Sequence, residues 1–381
     1  MRIPDNSDEN LEPYFGCHLV GQAGRCVVWV ELAIVPALAL FDDAGSDSAA
    51  MRSALSLAAR ADHRTSPNPM VGALIVDADG AVVGRGYHHR PGEPHAEILA
   101  LREAGSRAHG ATLVVTLEPC SVQGRTPPCV DAIVAAGIRR VVMATEDPDA
   151  TAQGRGRRWL EEAGVEVVSP VREEQARRLN EFYEVHRRTG RPFVTAKFAA
   201  SWDGRVATRS GESKWITGLQ ARHHAHLLRH RHDAVLVGVN TVLADDPELT
   251  ARFPGARQPL RVVLDSRGRT PIAARVRAPA GELLIDPGSD LRRLLERLAG
   301  RGVLSLLVEG GPTVLGSFFD QGLVNKVYAY IAPLIVGGER ARPAVGGEGA
   351  GHLESAPHLD DVEMRRLGKD FLLSGYVHRN R

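Results

Sequence analysis

HAEILAL at residues 95–101 and LEPCSVQGRTPPC at residues 117–129 are the stretches that decide the fold of the first half of the chain. They hold a histidine, a Pro-Cys pair and a second cysteine. Zinc prefers nitrogen and thiolate ligands, and a catalytic zinc site has three protein ligands with one position left for water. We therefore predict that His95, Cys120 and Cys129 bind one Zn²⁺.

Glu97 follows the first predicted ligand by two residues and is expected to stay off the metal. Zinc lowers the pKa of water in its open position, so hydroxide becomes available near neutral pH. A glutamate beside that position can take up a proton and pass it to departing ammonia. His-x-Glu followed by Pro-Cys and a further cysteine is the pattern of zinc deaminases. The pattern therefore predicts deamination of an amino-substituted heterocycle, with Glu97 as the catalytic residue.

Eight residues separate the two predicted cysteine ligands, rather than the commoner two. Loop 121–128 must therefore fold back over the site. Pro127-Pro128 indicates that a helix begins near Cys129, where the positive helix end favours a thiolate. The alternatives are a closed structural zinc knuckle and two buried free cysteines. Neither alternative needs an uncoordinated glutamate, so we favour catalysis.

The composition is ordinary for a globular protein of two domains. Of 381 residues, 43% are hydrophobic and 24% are charged, and the net charge is +1. A deaminase of nucleic acid would need a basic groove with stacking aromatic side chains, and neither this charge nor 5% aromatic residues favours one. The chain has four cysteines, two of them assigned to metal, which indicates a reducing cytoplasm rather than a disulfide framework.

Residues 1–46 differ from the rest of the chain, and we expect an extension of uncertain order there. Segment 26–41 is mostly apolar, but it is sixteen residues long and contains Glu31, whereas a spanning helix needs about twenty apolar residues. The acidic residues before it disagree with a secretory leader, so a membrane or export signal is the less favoured alternative. Met51 is a candidate internal start, which an intact mass near 41.1 kDa would exclude.

Helices and strands alternate from residue 47 onward, which predicts layered α/β domains with parallel pairing. Three ligands should converge at the carboxyl edge of the first sheet, since His95 starts a helix, Cys120 ends a strand and Cys129 starts a helix. Segment 170–191 is a charged helix that either connects two domains or belongs wholly to the first. The other predicted elements are helix 47–63, hairpin 67–77 with 81–90, helix 94–107, strand 111–120, helix 128–137, strand 140–145, helix 155–163 and strand 165–169.

The second half repeats the alternation and ends its last buried strand in Gly-Gly-Pro. Pro312 and Thr313 would open a helix whose free N–H groups suit a phosphate, with a plain tight turn as the alternative. The spacing is not that of a Rossmann fingerprint. The predicted elements are strand 193–199, polar loop 201–218, helix 219–231, strands 233–238 and 260–265, a weaker strand at 282–286, helix 289–300 and strand 303–309.

Helix 219–231 and the residue after it contain five histidines. His226 and His230 are four residues apart, which would suit a second metal site. Arginines alternate with these histidines, and we favour a solvated helix face instead. Of the residues on this helix, we predict a functional role only for Arg229, whose guanidinium can bind phosphate through two N–H groups.

Seven motifs in order resemble the family of bifunctional deaminase–reductases of riboflavin biosynthesis. The resemblance covers residues 50–381 and is far more specific than any single motif. The motifs are PNPMVGA (67–73), GYHHRPGEPHAE (86–97), TLEPCSVQGRTPPC (116–129), SWDGRVAT (201–208), SGESKWIT (210–217), NTVLADDPELTAR (240–252) and VEGGPTVLGSF (308–318).

The resemblance implies a cytidine-deaminase-like α/β/α domain at 47–190 and a dihydrofolate-reductase-like α/β domain at 191–381. The first would deaminate 2,5-diamino-6-ribosylamino-4(3H)-pyrimidinone 5′-phosphate. The second would use NADPH to reduce the ribosyl chain to ribityl, giving 5-amino-6-(5-phosphoribitylamino)uracil. We expect a cytoplasmic enzyme without nucleic-acid partners or stable membrane association, and a homo-oligomer that assembles through the reductase domain.

The resemblance also implies site residues beyond the zinc ligands. Those expected to contact substrate in the deaminase are Asn68, His88 and Arg125, and those in the reductase are Ser213, Arg229, Leu249, Arg252 and Glu309. Those expected to contact NADPH are Ala199, Trp215, Thr241, Asp245, Ser266, Gly311, Pro312, Thr313, Val314, Leu315, Gly316 and Ser317.

Elementary chemistry agrees with several of these positions. Arginines such as Arg229 and Arg252 offer forked donors for phosphate. Ser266 and Arg267 follow a strand end, where a ribose 2′-phosphate could be held. Trp215 offers an aromatic face for nicotinamide, with core packing as the alternative. The remaining candidates for proton handling in the reductase are Lys197 and Asp203, between which the sequence does not choose.

The chain departs from the family pattern at three places. Val122 replaces the usual histidine after Pro-Cys-Ser, loop 147–156 lacks the usual Asp-Pro-Asn-Pro, and Trp202 interrupts the SLDGR pattern. Val122 and Asp149 border the deaminase pocket in the family. Two alternatives follow: a reductase with a weakened deaminase, and a nucleotide-binding regulatory protein without catalysis. Glu97 argues against the second, because a structural zinc has no need of it.

Overall fold

Two sheets, one after the other along the chain, organise the part of the protein that is described. The structure is a computed structural model and describes residues 46–122, 127–278 and 281–378. The first sheet has five strands and the second has eight. The prediction of two α/β domains is therefore confirmed. The extension predicted over 1–46 lies outside the described residues, apart from Ser46.

The described residues of the first domain form five strands and six α-helices. The strands are β1 (Gly72–Val76), β2 (Val82–Tyr87), β3 (Thr112–Val115), β4 (Arg140–Met143) and β5 (Glu166–Val168). The helices are α1 (Ser46–Ala59), α2 (Ala96–Ala104), α3 (Cys129–Ala135), α4 (Arg155–Glu162), α5 (Glu173–Leu179) and α6 (Glu181–Thr189).

The first sheet has the order β2-β1-β3-β4-β5 and is mixed rather than wholly parallel. β1 is antiparallel to both neighbours, because the predicted hairpin turns back at Gly80, whose φ is +82°. Successive residues of β3 alternate between the two faces of the sheet. Leu113 packs with α2, α3 and α4, whereas Val114 packs with α1 and α5. Burial on both faces makes the sheet the middle of a three-layer domain.

α2 lies directly on β2, and two glycines permit this approach. A Cβ at Gly84 would lie 2.2 Å from the carbonyl oxygen of Ala100, and one at Gly86 would lie 2.2 Å from that of Ala96. Any side chain at either position would push the helix away from the sheet. His95 is the N-cap of this helix. The two glycines thereby set the position of the first predicted zinc ligand.

In the second domain, the part of the chain that the structure describes contains ten strands and four α-helices. Its strands are β6 (Phe193–Ser201), β7 (Arg205–Ala207), β8 (Ala234–Gly238), β9 (Leu260–Leu264), β10 (Leu283–Asp286), β11 (Ser305–Val308), β12 (Lys326–Ala332), β13 (Arg342–Pro343), β14 (Leu359–Leu367) and β15 (Asp370–Val377). Its helices are α7 (Leu219–Arg231), α8 (Val239–Asp245), α9 (Leu291–Gly300) and α10 (Pro312–Asp320).

The second sheet has the order β10-β9-β8-β11-β6-β12-β15-β14. The first six strands are parallel, and β15 and β14 continue the sheet antiparallel. α9 and α10 cover one face and α7 and α8 the other. β7 and β13 form a separate two-stranded ribbon. The carboxyl ends of five neighbouring parallel strands, β10, β9, β8, β11 and β6, therefore lie along one edge, where such sheets bind ligands.

Two predicted elements are wrong in detail. Cys120 does not end a strand, because β3 ends at Val115 and the next residues bond elsewhere: the N–H of Glu118 donates to the Thr145 carbonyl oxygen at 3.0 Å. Segment 170–191 is two helices, not one. Asn180 breaks it, since its amide bonds both backbone groups of Met70, at 2.7 Å and 2.9 Å.

These two helices together contact both domains. Ala176 of α5 is buried in the core of the first domain. Phe182 of α6 packs on Phe193 of the second domain, with ring centroids 5.2 Å apart. The same ring lies 4.9 Å from the His232 imidazole. α5 therefore belongs to the first domain, and α6 packs against the second.

The solvated histidine face predicted for α7 is wrong. His230 is 0% exposed and His232 is 2% exposed. His230 Nε2 lies 2.9 Å from a carboxylate oxygen of Asp62 in the first domain, and its Nδ1 accepts the Arg257 N–H at 2.8 Å. His232 bonds Thr195 Oγ1 at 2.8 Å. Within the described ranges, these histidines join no cluster suited to a metal ion.

The start of α1 bears on the internal-start hypothesis. Met51 is fully buried in the core beside β1. Asp47, in the first turn, receives two hydrogen bonds from the Arg140 guanidinium, at 2.8 Å and 2.7 Å. A chain that began at Met51 would lack this pair and the first helical turn. Across the described residues, no helix is both long and apolar enough to cross a membrane.

Candidate active sites

Three predicted zinc ligands come together at the ends of two helices. His95 caps α2, and Cys129 is the first residue of α3. Cys120 lies in the loop after β3, where its carbonyl oxygen accepts the Val130 N–H at 3.3 Å. The three potential ligand atoms lie within 4.8 Å of one another, and they form the sole cluster of this kind in the described part of the chain.

The electrostatics of this cluster suit a cation. The hydrogen bond from Cys129 and then that from His95 lower the pKa of the Cys120 thiol, against the opposing effect of burial. The same hydrogen bond and burial raise the pKa of Cys129, which acts as the donor. The backbone N–H of Cys129 also donates to Cys120 Sγ at 3.3 Å. One nitrogen and two sulfur donors, one sulfur already favoured as thiolate, are a donor set that fits Zn²⁺.

Glu97 lies in the first turn of α2 and is 4% exposed. It lies outside the three-residue ligand cluster. Burial raises the pKa of Glu97, opposed by the nearby His95. A buried carboxyl group whose pKa is moved toward neutrality can both accept and return a proton.

Asn68 and His88 form one hydrogen-bonded pair beside the ligand cluster. His88 Nδ1 donates to the Pro94 carbonyl oxygen at 3.2 Å, so its Nε2 accepts from Asn68 Nδ2 at 3.1 Å. Burial lowers the pKa of His88, which keeps the ring neutral. This pairing orients the Asn68 amide, while His88 itself is 3% exposed and lies behind it. Arg125, the third predicted substrate contact, lies outside the described residues.

Glu118 is a residue that the sequence reasoning missed. Its carboxylate is 6% exposed and accepts three backbone N–H groups, from Asp147 at 3.1 Å, Gly154 at 2.9 Å and Arg157 at 3.0 Å. A Cβ at Gly156 would lie 2.1 Å from the Pro119 carbonyl oxygen. The start of α4 is therefore fastened to the turn that carries Cys120. The sequence did offer one signal for this role, because Glu118 is an acidic residue directly before the Pro-Cys pair.

A cavity of about 650 Å³ lies along the carboxyl ends of the parallel strands of the second sheet. All predicted reductase substrate residues line it, together with most of the predicted NADPH residues. Those lining it are Ser213, Arg229, Leu249, Arg252 and Glu309, and Ala199, Trp215, Thr241, Asp245, Ser266 and Gly311 to Leu315.

A buried ion-pair network stands at the end of β11 in this cavity. Arg229 donates two hydrogen bonds to the Glu309 carboxylate, at 2.6 Å and 3.0 Å, and Lys197 Nζ lies 3.4 Å from the same group. Although burial opposes ionisation, Arg229 and Lys197 lower the pKa of Glu309 to about 2. Glu309 is thus a carboxylate that holds both cations at the cavity wall, and its contact with substrate stays a prediction.

The beginning of α10 fits a dinucleotide phosphate. Gly311 is the N-cap, no side chain caps the first N–H groups, and Pro312 occupies the first turn. A Cβ at Gly311 would meet only Thr241 Oγ1, at 3.7 Å, and would occupy the space in front of the helix end. Uncapped N–H groups at a positive helix end bind phosphate. The residues present therefore fit NADPH.

Four predicted positions of the reductase lie away from the cavity. Ser317 Oγ donates to the Thr313 carbonyl oxygen, and a Cβ at Gly316 would strike the backbone of Gly346 at 2.3 Å, so this end of α10 faces the protein. Arg267 is not among the residues that line the cavity. Asp203 holds a loop instead, accepting the N–H groups of Val336 and Gly337 at 3.0 Å and 2.7 Å. The roles expected for these four residues stay predictions.

Comparison with known proteins gives consistent matches to both halves. Residues 44–145 match the family model for the cytidine and deoxycytidylate deaminase zinc-binding region, and residues 192–373 match that for the RibD C-terminal domain. The riboflavin biosynthesis protein RibD of Aquifex aeolicus is 42% identical over 346 residues, covering 85% of this chain and 96% of the relative.

Two solved structures are similar over most of the chain. RibD of Acinetobacter baumannii has a TM-score of 0.82 at 36% identity, covering 88% of this chain and 99% of that one. The second is named a diaminohydroxyphosphoribosylaminopyrimidine deaminase/5-amino-6-(5-phosphoribosylamino)uracil reductase, from Thermotoga maritima. It has a TM-score of 0.79 at 34% identity, covering 87% of this chain and 99% of that one.

Proposed function

Because the chain belongs to the RibD family of riboflavin biosynthesis proteins, we propose which substrate each half takes and which residues act on it. The protein is a bifunctional enzyme, with a zinc-binding deaminase domain and an NADPH-dependent reductase domain. We assign residues 47–190 to the first domain and 191–381 to the second. The relative from Thermotoga is named for a phosphoribosylaminopyrimidine substrate, which supports a phosphoribosylated pyrimidine here.

In the deaminase half, we assign metal binding to His95, Cys120 and Cys129. When bound, zinc would supply a water of lowered pKa next to the substrate. Glu97 lies beside this cluster, and burial raises its pKa, so that it can hold the proton taken from the water and then donate that proton to the leaving amine. Asn68, held by His88, presents its amide oxygen as an acceptor for an N–H of the pyrimidine.

In the reductase half, hydride comes from the nicotinamide of NADPH, and the protein positions it. Arg252 and the network around Glu309 line the cavity where the phosphoribosyl chain would lie. Lys197 is the group that we assign to proton donation at the opened ribose, because its ammonium is in the cavity wall. Asp203 is committed to the loop at Val336 and Gly337, so the choice that the sequence left open falls on Lys197.

The observation that carries the deaminase assignment is the ligand cluster with Glu97 buried beside it. A reductase with a weakened deaminase would rest on Val122 and loop 147–156. Val122 is 49% exposed, and the loop is fastened by Glu118. Neither of these departures from the family pattern disturbs the three zinc ligands, so we favour an active deaminase site together with an active reductase site. Assembly through the reductase domain and a cytoplasmic location stay predictions.

A split assay tests the proposal: ammonia release on the diamino substrate, and NADPH oxidation on the separately prepared deaminated product. Glu97→Gln should retain one zinc per chain and lose deamination by roughly 100- to 10,000-fold, because proton transfer is removed. Reduction should be unchanged. Glu103→Gln is the matched control, on an exposed face of the same helix. Undiminished ammonia release by Glu97→Gln would refute the role given to Glu97.

A further inference from the structure

Glu248 lies between two arginines in the wall of the reductase cavity, and both arginines line the cavity with it. One oxygen of its carboxylate accepts a hydrogen bond from the Arg275 guanidinium. The other oxygen lies 3.8 Å from Arg252 Nε and accepts the Thr250 hydroxyl at 3.3 Å. Of these side chains, only Arg252 was expected to bind substrate. Arg275 and Glu248 therefore add a cation and an anion whose roles the sequence did not indicate.

The backbone on either side of Glu248 is held in an uncommon conformation. Asp246 has a φ of +44° and Leu249 a φ of +59°, which are left-handed values that few residues other than glycine adopt. Such conformations persist only where the surrounding structure enforces them. Here the Asp246 carboxylate accepts the backbone N–H of Arg275 at 2.8 Å. The loop of Glu248 is thereby joined to the segment of Arg275, which keeps the carboxylate near both guanidinium groups.

The contacts of Glu248 are open to exchange, unlike those of Glu309. The Glu309 side chain is 6% exposed and accepts two hydrogen bonds from Arg229. The Glu248 side chain is 25% exposed, while those of Arg252 and Arg275 are 52% and 56% exposed. Ion pairs that water can reach to this extent contribute little stability. A more highly charged anion can therefore replace Glu248 at both arginines.

A phosphate monoester is an anion of this kind. Above its second pKa, which is about 6, it carries nearly two negative charges and three strong acceptor oxygens. Two guanidinium groups can each donate a pair of N–H groups to such a ligand. The Glu248 carboxylate opposes phosphate in two ways, because it occupies the same donors and because it repels the dianion as a like charge.

We propose that Glu248 competes with the substrate phosphate for Arg252 and Arg275, and that it thereby limits the affinity of the reductase site for phosphorylated ligands. This proposal rests on the reductase function proposed above, in which Arg252 binds the phosphate, and it adds Arg275 as a second phosphate ligand. Substrate and product both carry this phosphate, so two unopposed arginines would retain the product as tightly as they bind the substrate. Glu248 recovers both arginines as the product leaves, which favours its release.

Equilibrium titration of the full chain with the reductase product, 5-amino-6-(5-phosphoribitylamino)uracil, tests the proposal at about pH 8, where the phosphate is a dianion. Saturating NADP⁺ keeps the phosphate sites of the cofactor filled. Glu248→Gln should lower the dissociation constant of the product by roughly 10-fold, because a competing charge is removed and the side-chain volume is kept. The constant of the dephosphorylated product should change by less than about twofold. Arg275→Ala should raise the constant of the phosphorylated product alone, by roughly 10-fold.

Glu296→Gln is the matched control, because that carboxylate pairs with Arg191 at 3.0 Å and is not among the residues that line the cavity. Selective tightening of the phosphorylated product in Glu248→Gln supports the proposal. Unchanged or weaker binding in Glu248→Gln overturns it, because Glu248 then only supports the arginines. Equal tightening of the dephosphorylated product, the same tightening in Glu296→Gln, or unaltered binding by Arg275→Ala also overturns it.

The reductase function is judged separately, by NADPH oxidation with the deaminated substrate. If the unchanged protein carries out this reaction, the outcomes above that overturn the competition at Glu248 leave the reductase function intact. If it neither binds the product nor oxidises NADPH with the substrate, the reductase function fails and the proposal fails with it.

Discussion

Replacing Glu118 by Gln should loosen the deaminase without affecting the reductase. The carboxylate accepts backbone N–H groups from Asp147, Gly154 and Arg157, and it is almost completely buried. A glutamine keeps one oxygen, which can still serve the two N–H groups that share Oε2. Its NH₂ group would then face the Arg157 N–H, donor against donor.

The loss of one charge-assisted hydrogen bond of this kind amounts to about 1.5–3 kcal/mol, and the facing donors add to it. The substitution should lower the free energy of a local opening, because these bonds join the start of α4 to the turn at Pro119 and Cys120. Amide hydrogens in segment 147–157 should therefore exchange roughly 10- to 100-fold faster in Glu118→Gln. Deamination should fall as the loop moves, and reduction of the deaminated product should stay unchanged.

Hydrogen exchange followed by mass spectrometry measures this opening directly, and the split assay measures its effect. Glu146→Gln is the matched control, since that side chain is 35% exposed and its carboxylate contacts, among the described residues, are with the side chains of Gln153 and Arg157. Unchanged exchange in segment 147–157 of the Glu118→Gln protein would refute the reasoning. So would equal acceleration in both variants, because the effect would then belong to charge rather than to the buried bonds.

Two further predictions concern the second domain. Arg252→Ala should raise KM for the deaminated substrate in NADPH oxidation by roughly 10-fold or more, because a ligand of the substrate phosphate is lost. Ammonia release should be unchanged. Equal loss in both reactions would contradict the assignment of separate sites. Burial lowers the pKa of His232 from 6.5 to about 4. The unfolded chain therefore binds a proton that the folded chain does not, and stability falls as pH drops from about 6.5 to 4, by about 3 kcal/mol for this residue. His232→Gln should remove that part of the pH dependence of the urea midpoint, and an unaltered dependence would sink the explanation.

The elements were predictable where local pattern and tertiary context agree. Helix 219–231 and the helix start at Pro312 are placed as predicted, because capping chemistry and buried strands before them are local signals. The zinc ligands share one cluster for the same reason: two begin helices and one follows a strand. The break at Asn180 could not be predicted, since its cause is a bond to Met70, more than a hundred residues earlier in the chain.

Side-chain burial at the contact between the domains was equally out of reach. A histidine-rich helix without its neighbours resembles a solvated face, yet Asp62 and Phe182 bury His230 and His232. The same holds for Arg267 and Arg269, which are indistinguishable by sequence position relative to β9. In the folded chain, Arg269 lines the reductase cavity and Arg267 is not among its lining residues.

Two adjacent residues of α7 bind side chains of different domains. Arg229 points into the reductase cavity and is bound to Glu309, while His230, about 100° further around the helix, is bound to Asp62 of the deaminase. A reductase half produced as a separate polypeptide would bring this imidazole to the surface without its carboxylate, one residue from a catalytic-site cation. The reductase half therefore depends on the deaminase half to cover this side of α7. Producing the two halves as separate proteins would require the exposed side of α7 to be redesigned.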